Sequence, residues 1–458
     1  MRRTSQVRRT FQKNSDGMSR ILLVSHNAIG ENLSGPGMRY WEFANYLGRE
    51  HQVTLLVPSG EMTSHPRAKV KPFSPSLFAR LAQDVDVVVS QGFEGYSAFQ
   101  IAFLDTPQVF DLYCPIPFET LEVYRSAGDT SFGPTHLAYI RNRFNLLFRR
   151  GDFFLCASEE QRHLWLGALF DAGRITLREY LDDAQLRNLI DVVPLGVPTE
   201  PPKKQRRVLR GVYPGFAEDD FILLWLGGVW NWLDPLILIQ AMARLTRGYP
   251  RIKLLFLAGN SPPPTTPRGH GLAEAIAESK HLGLYERQVF FHLQQIPYAE
   301  RGEYLLEADA GVVFYRNNLE TEFAFRTRLV DYFWAGLPVL CARGDSLSRL
   351  VEQHTAGLTV SPQRVEEVEQ AIVRLAEDSA FRRRCQQGSR QIAGTMLWQN
   401  ILRPLDSFCR FPRRAVGLHA FPYKVEALAD YMLSNARALV AHPTAAVLRQ
   451  AARKLRGV

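Results

Sequence analysis

Residues 319–340 read LETEFAFRTRLVDYFWAGLPVL, and more of the fold turns on this stretch than on any other. Two carboxylates, Glu320 and Glu322, stand just ahead of a helix predicted over 326–334, and two arginines, Arg326 and Arg328, occupy its first turns. Ala335-Gly336-Leu337-Pro338 closes it with the glycine-then-proline stop that ends a helix and leads into a strand, here 338–341. A helix start already carries partial positive charge, so two cations there are locally unfavourable unless an anion sits in front of them. A phosphate would meet that demand.

Working outward, short apolar runs alternate with helical segments, the pattern of parallel sheets covered by helices. Strands are predicted at 21–25, 53–57, 85–90, 108–110, 153–156 and 191–193, then at 221–226, 253–258, 288–292 and 310–314. Helices are predicted at 38–48, 97–104, 141–148 and 159–169, then at 234–245, 271–282 and 300–308. The segment PTEPPKKQRR, from Pro198 to Arg207, separates the two series and reads as a linker. The expected class is α/β: one doubly wound unit over 18–198, a linker over 199–207 and a second unit over 208–405. Arg-rich helices at 406–458, including 425–436 and 444–455, are expected to pack back on the first unit.

A chain of 458 residues exceeds what a single core usually serves, and 46% hydrophobic residues can supply two. Lys and Arg exceed Asp and Glu by 55 to 46, giving a net charge of +9 and a pI near 9.3. That balance points to anionic partners such as nucleotides, phospholipid surfaces or nucleic acid. No nucleic-acid recognition motif accompanies it, so nucleic acid is not an expected partner. Residues 1–17 hold Arg2, Arg3, Arg8, Arg9 and Lys13 against Asp16 and read as a disordered basic arm or the product of an upstream start codon. No apolar run follows those arginines, so a secretory signal is not expected. The most apolar stretch, 221–243, is broken by Gly227, Gly228, Asn231 and Asp234 and does not read as a membrane span. Five scattered cysteines without CxxC spacing suggest neither a disulfide framework nor a zinc site. The expected setting is cytoplasmic, with peripheral contact at the inner face of the membrane.

Several local motifs carry possible chemistry. After the first strand, Gly35, Pro36 and Gly37 precede Arg39 near a helix start, where backbone amides and the helix end attract an anion. The spacing is not GxGxxG, and a plain tight turn is the simpler alternative. Asp84-Val85-Asp86 has the look of a metal-holding DxD, but it enters a buried strand, where acids commonly serve as lead-in residues. Asp111 stands at the carboxyl end of a strand, the edge at which open α/β sheets present ligands. Gly227-Gly228 follow a strand, and Asp234-Pro235 start a helix as N-cap and first residue. Trp230 and Trp232 read as core or lid packing. Arg328 and Asp331, three apart, could form an ordinary surface pair, but that leaves Arg326 unexplained.

Taken together, these residues resemble glycosyltransferase family 4, retaining enzymes of the GT-B fold in which two Rossmann-like domains face across a cleft. The similarity runs from about residue 21 to 405 and is strongest over 221–360. The family's E-x7-E element has its second acid five residues before the Gly of a G-L-P turn, and Asp331 holds that slot ahead of Gly336-Leu337-Pro338. The first acid would fall on Phe323, so Glu322 or Glu320 must serve instead. The family's Gly-Phe-Gly corresponds to Ala324-Phe325-Arg326, and its Arg and Lys that grip the donor diphosphate correspond to Gly228 and Leu233. VVPLGVP at 192–198 resembles the hinge strand, the stretch around Ile296-Pro297-Tyr298 the segment that cups the base, and HTAGLTVSP the closing strand.

The resemblance implies transfer of a sugar from a nucleoside diphosphate-sugar to a glycan, lipid-linked or small-molecule acceptor, with no metal and no cofactor beyond the substrate. Asp111, Glu322 and Arg326 are the expected catalytic residues, with Arg326 replacing the missing clamp. Donor binding is expected at Gly35, Gly37, Arg39, Gly228, Ile296, Tyr298, Glu320, Phe325, Thr327, Arg328 and Asp331. A nucleotide-sugar epimerase of the same architecture would need an acid–base set on both faces of the sugar, which the sequence does not offer. A non-catalytic nucleotide-sugar binding or scaffold protein of the same fold is the alternative, kept alive by the absent Arg/Lys pair.

Overall fold

The structure, a computed structural model, describes residues 17–27, 29–30, 33, 35–58, 64–92, 96–127, 133–259, 270–415, 418 and 420–441. The arm at 1–16 and the helix expected at 444–455 lie outside them.

Two parallel sheets form the frame. The first has seven strands, β1 (Arg20–Val24), β2 (Gln52–Val57), β3 (Ala68–Pro72), β4 (Val87–Ser90), β5 (Gln108–Asp111), β6 (Phe153–Cys156) and β7 (Ile190–Val192), in the order β3-β2-β1-β4-β5-β6-β7. The second has six, β8 (Phe221–Leu226), β9 (Ile252–Leu257), β10 (Val289–His292), β11 (Ala310–Val313), β12 (Val339–Ala342) and β13 (Gly357–Val360), in the order β10-β9-β8-β11-β12-β13. Helices cover both faces, which is why central strands such as β4 (VVVS) and β8 (FILLWL) are continuous apolar runs. In each sheet the strand order reverses beside the first strand, between β1 and β4 and between β8 and β11. Crevices open at the carboxyl ends of strands at such points, so topology alone fixes where a ligand can sit.

One strand escaped the sequence reading. β3, AKVKP, carries Lys69, Lys71 and Pro72 and forms the outer edge of the first sheet. Lysine and proline on an edge block pairing with a further strand, and the same residues erase the apolar signal.

The stretch 319–340 folds differently from the single helix expected. A short helix, Leu319–Phe323, is capped by Asn318, whose side chain accepts from Thr321 N. The chain then extends through Ala324, and a second helix, Thr327–Trp334, begins after Arg326. Its end is as read: Gly336 takes φ +65°, Gly336 N–H donates to Phe333 O (2.9 Å) and Leu337 N–H to Tyr332 O (2.9 Å). Those two bonds are the left-handed glycine stop, and Pro338 prevents the helix resuming.

The two domains are joined at a double crossing. Val197 N–H donates to Met396 O (2.8 Å) and Trp398 N–H to Val197 O (3.1 Å), so the outgoing chain pairs with the returning one. The returning chain then stays with the first domain. On the helix Arg403–Arg410, Phe408 stacks on Phe153 at 5.0 Å and Cys409 O accepts from Ser19 Oγ at 2.6 Å. The helix Phe421–Ala441 lies along Gly133–Arg150, with Arg149 2.8 Å from Asp430 and Asn142 bonded to Asn435. Among the described residues, no helix is long and apolar enough to cross a membrane.

The expected linker is strapped to the second domain. Glu307, on the helix Arg301–Glu307, accepts at Oε2 from the amides of Val208 (3.3 Å), Leu209 (2.6 Å) and Arg210 (3.1 Å), and Lys204 Nζ lies 2.9 Å from its Oε1. Burial works against the charge on Glu307, yet Lys204 and the amides outweigh it and hold the carboxyl below its ordinary range. A depressed carboxylate stabilises the fold above its unfolded pKa, and that contribution is lost as pH falls through the folded value. Glu307→Gln is therefore expected to cost about 1–3 kcal/mol at neutral pH and progressively less in acid. Urea unfolding of both proteins at pH 7 and pH 4 measures this, and a gap that does not narrow would refute the role of charge.

Candidate functional site

Two helices point their amino ends at each other across the cleft. One begins at Gly35, so residues 35–37, expected as a loop ahead of the helix, form the first turn of Gly35–Leu47. The other is Thr327–Trp334. A Cβ built on Gly35 would lie 3.9 Å from Thr327 Oγ1, which brings the two starts together. Gly37 is buried in that first turn. Both helix ends carry partial positive charge, and between them an anion is favoured.

Arg328, the second residue of Thr327–Trp334, adds a full charge to the same place. Its Nη2 donates to Gly228 O at 2.9 Å, and its guanidinium lies 5.0 Å over the ring of Trp225. Gly227 takes φ +95°, a backbone conformation that favours glycine in the turn after β8, beside Arg328 Nη2. Its Nη1 atom is buried and has no hydrogen-bond partner among the described residues. Desolvation lowers the pKa of Arg328 to about 10, with Arg326 adding to the effect, and no carboxylate of the described residues counters it. The group stays charged at neutral pH, a half-buried cation with a donor to spare.

Arg326, expected as the diphosphate clamp, is differently engaged. Its Nη1 and Nη2 grip Glu320 Oε1 (3.0 Å) and Oε2 (2.6 Å), Nη2 also reaches Thr321 Oγ1 (3.2 Å), and the guanidinium stacks 4.8 Å over Tyr315. Both side chains of the pair are buried. Arg326 thus closes the short helix Leu319–Phe323 on itself, and Glu320 has no free oxygen to offer a sugar. Glu322 is exposed.

Arg39 and Asp111 are likewise committed to each other. Arg39 Nε donates to Asp111 Oδ2 (2.8 Å), Nη2 to Oδ1 (2.9 Å) and Nη1 to Pro194 O (2.8 Å), with both side chains fully buried. Burial works against the charge on Arg39, but the charge and hydrogen bonds of Asp111 prevail and raise its pKa. Phe43 and Tyr113 flank the guanidinium at 4.6 and 4.7 Å. This pair ties the first helix to β5 and to the hinge at Pro194. Asp111 does border a cavity of about 200 Å³ with His26, Gln91 and Arg143, but what it brings there is a charge already neutralised.

Asp331, expected at a ribose, accepts from Arg301 Nε at 2.9 Å, and Arg301 is held between Tyr298 (3.6 Å) and Trp334 (4.5 Å). Burial keeps the Tyr298 phenol protonated. Ile296 is half-buried beside it, and Phe325 lies 6.4 Å from Tyr113 across the cleft. Asp86 proves structural, accepting from Arg20 N–H at 2.7 Å at the amino edge of β1. Trp230 and Trp232 stack on each other at 5.2 Å.

Nothing local in the sequence pointed to Gln161, Glu42 or Arg301. Gln161 Nε2 donates to Tyr113 O (2.9 Å) in its own domain and to Phe323 O (2.7 Å) in the other. Glu42, whose pKa burial raises, faces Tyr298 and Arg301 across the cleft. All three lie in ordinary helical segments where Gln, Glu and Arg read as surface residues. Among the described residues, no group of three or more His, Cys, Asp or Glu is placed to hold a metal ion.

Residues 220–378, from β8 to beyond β13, match the family model described as group 1 glycosyl transferases. Solved structures of similar fold include HepE from Anabaena in complex with UDP-glucose, at 15% identity and a TM-score of 0.59 over 85% of this chain and all of that one. A trehalose-6-phosphate synthase, OtsA, matches at 13% identity and a TM-score of 0.62, over 87% of this chain and all of that one. A sucrose-phosphate synthase from Thermosynechococcus elongatus matches at 14% and 0.57, over 85% of this chain and 98% of that one. No curated protein matches the chain by sequence. At these identities the likeness is one of fold, and with the two sheets described above it makes this a two-domain, Rossmann-like GT-B protein.

Proposed function

We propose that this protein transfers a sugar from a nucleoside diphosphate-sugar to an acceptor, with retention at the anomeric carbon and without a metal. The observation that carries the reading is Arg328, a half-buried cation with a buried, unmade Nη1 bond among the described residues where two helix starts meet, inside the segment that matches group 1 glycosyl transferases. A diphosphate leaving group gains negative charge as the glycosidic bond breaks, and preorganised positive groups that need no rearrangement stabilise it best. Arg328 takes over from Arg326 as the proposed clamp, and Glu322, exposed while Glu320 is engaged, is the acid available to the sugar hydroxyls. Asp331 and Tyr298 would then border the nucleoside. The cytoplasmic setting and peripheral membrane contact belong to the same reading.

A panel of UDP-, GDP-, ADP- and TDP-sugars in a thermal-shift assay with EDTA present tests it, because a ligand that binds only the folded state raises the melting temperature. HepE was solved with UDP-glucose, so UDP-glucose leads the panel. We expect at least one donor to raise the melting temperature and to be turned over. No shift from any donor, or a shift that needs Mg²⁺ or Mn²⁺, would overturn the proposal. Binding without turnover would instead favour a non-catalytic nucleotide-sugar binding protein, a reading supported by Gly228 and Leu233 standing where the family's diphosphate cations are expected.

A further inference from the structure

A second cavity, of about 500 Å³, opens between the helix Ile116–Ala127 of the first domain and loops of the second. Its volume lies within the roughly 300–1,000 Å³ usual for small-ligand sites. The first domain contributes Glu122 and Arg125, and the second Asp234, Arg316, Asn318 and Gln363. These come from the turns after β8, β11 and β13, and the first two are fastened together by Asp234 N–H donating to Phe314 O at 2.9 Å.

The charges on this wall balance. Arg125 Nη2 lies 2.6 Å from Glu122 Oε2, and Arg316 acts on Asp234, opposing the burial that raises its pKa. Amide groups complete the wall. Asn318 Oδ1 accepts the cap bond from Thr321 N–H at 3.0 Å, which leaves its Nδ2 buried with no partner among the described residues. An anionic ligand would meet Glu122 and Asp234. A neutral polyhydroxylated ligand suits it, since every sugar hydroxyl needs both a donor and an acceptor and these side chains supply both. Asn318 also caps the helix that carries Glu322, which puts the cavity next to the proposed transfer site.

We infer that this cavity is a subsite for a neutral saccharide portion of the acceptor. The inference rests on the sugar-transfer reading above and adds the chemical class of what receives the sugar. The full chain, with UDP present, would be applied to an array of neutral and acidic oligosaccharides alongside Arg125→Ala and Arg316→Ala, one variant from each domain. The wild type should retain neutral oligosaccharides, and each variant should bind them about tenfold or more weakly, the scale of one lost charge-assisted hydrogen bond. The UDP-induced melting shift should be unchanged in both variants. Retention of acidic oligosaccharides only, of none, or equally by wild type and variants would overturn the inference. If UDP still shifts the melting temperature in those cases, the donor reading survives. If saccharides are retained as expected but no donor of the panel shifts the melting temperature, the subsite stands and the donor reading falls.

Discussion

Arg328→Met should lose roughly 2–4 kcal/mol of transition-state stabilisation, about 30- to 1,000-fold in kcat/KM, yet melt no lower than the wild type. Few substitutions combine those outcomes. An arginine kept for packing would lower the melting temperature when replaced, and a surface arginine would change neither quantity. The Arg328 guanidinium is desolvated with no carboxylate among the described residues to answer it, so without ligand it is a cost to the fold that an apolar side chain of similar length removes. Sites that trade stability for binding behave this way. Its folded pKa, about 10, lies below the ordinary arginine value, so the cost is fully present at neutral pH and eases only as pH rises through about 10. Arg328→Lys should recover little, because an ammonium cannot both hold Gly228 O and reach a phosphate in a fixed fork. Steady-state kinetics and melting curves on the same preparations decide the matter. A lower melting temperature with unchanged turnover would make Arg328 structural.

The second large effect concerns stability. Asp111→Asn leaves the Arg39 guanidinium buried without its counter-charge, and breaking one side of such a pair costs about 3–5 kcal/mol. Replacing both partners, Arg39→Met with Asp111→Leu, should recover much of the loss, since a buried ion pair often gains little over apolar residues of similar volume. Urea unfolding of the two single variants and the double variant measures the coupling. A double variant no more stable than the singles would point to a role for the pair beyond mutual neutralisation. Single variants that lose turnover while unfolding like the wild type would restore Asp111 to the catalytic part first expected of it.

The contrast between Arg326 and Arg328 shows what the sequence could and could not say. That a cation near the start of this helix needs an anion follows from helix electrostatics and was readable. Which arginine lacks one was not, because Glu320 meets Arg326 only after the chain breaks at Ala324 and turns back on itself. Twelve of the thirteen strands were legible, eleven from their apolar runs and β13 through a family resemblance, since burial on both faces leaves an unbroken signature. Partners drawn from distant segments, such as Arg39 with Asp111 or Arg301 with Asp331, leave no local mark. The exposed edge β3 was invisible for the opposite reason: the residues that keep it from aggregating are those that disguise it.

The pairing of Val197 with Met396 and Trp398 has a topological consequence. Entry to the second domain and exit from it lie one backbone ladder step apart, so that domain is an insertion, an excursion that leaves and rejoins its host at a single point. The host is discontinuous: its sheet comes from the first part of the chain, and the helices covering the amino edges of β1 and β6 come from the last. The first domain therefore cannot complete itself until the second has been made, whereas the second can close on its own once the helices Val365–Glu377 and Ser379–Thr395, which follow its last strand, have emerged.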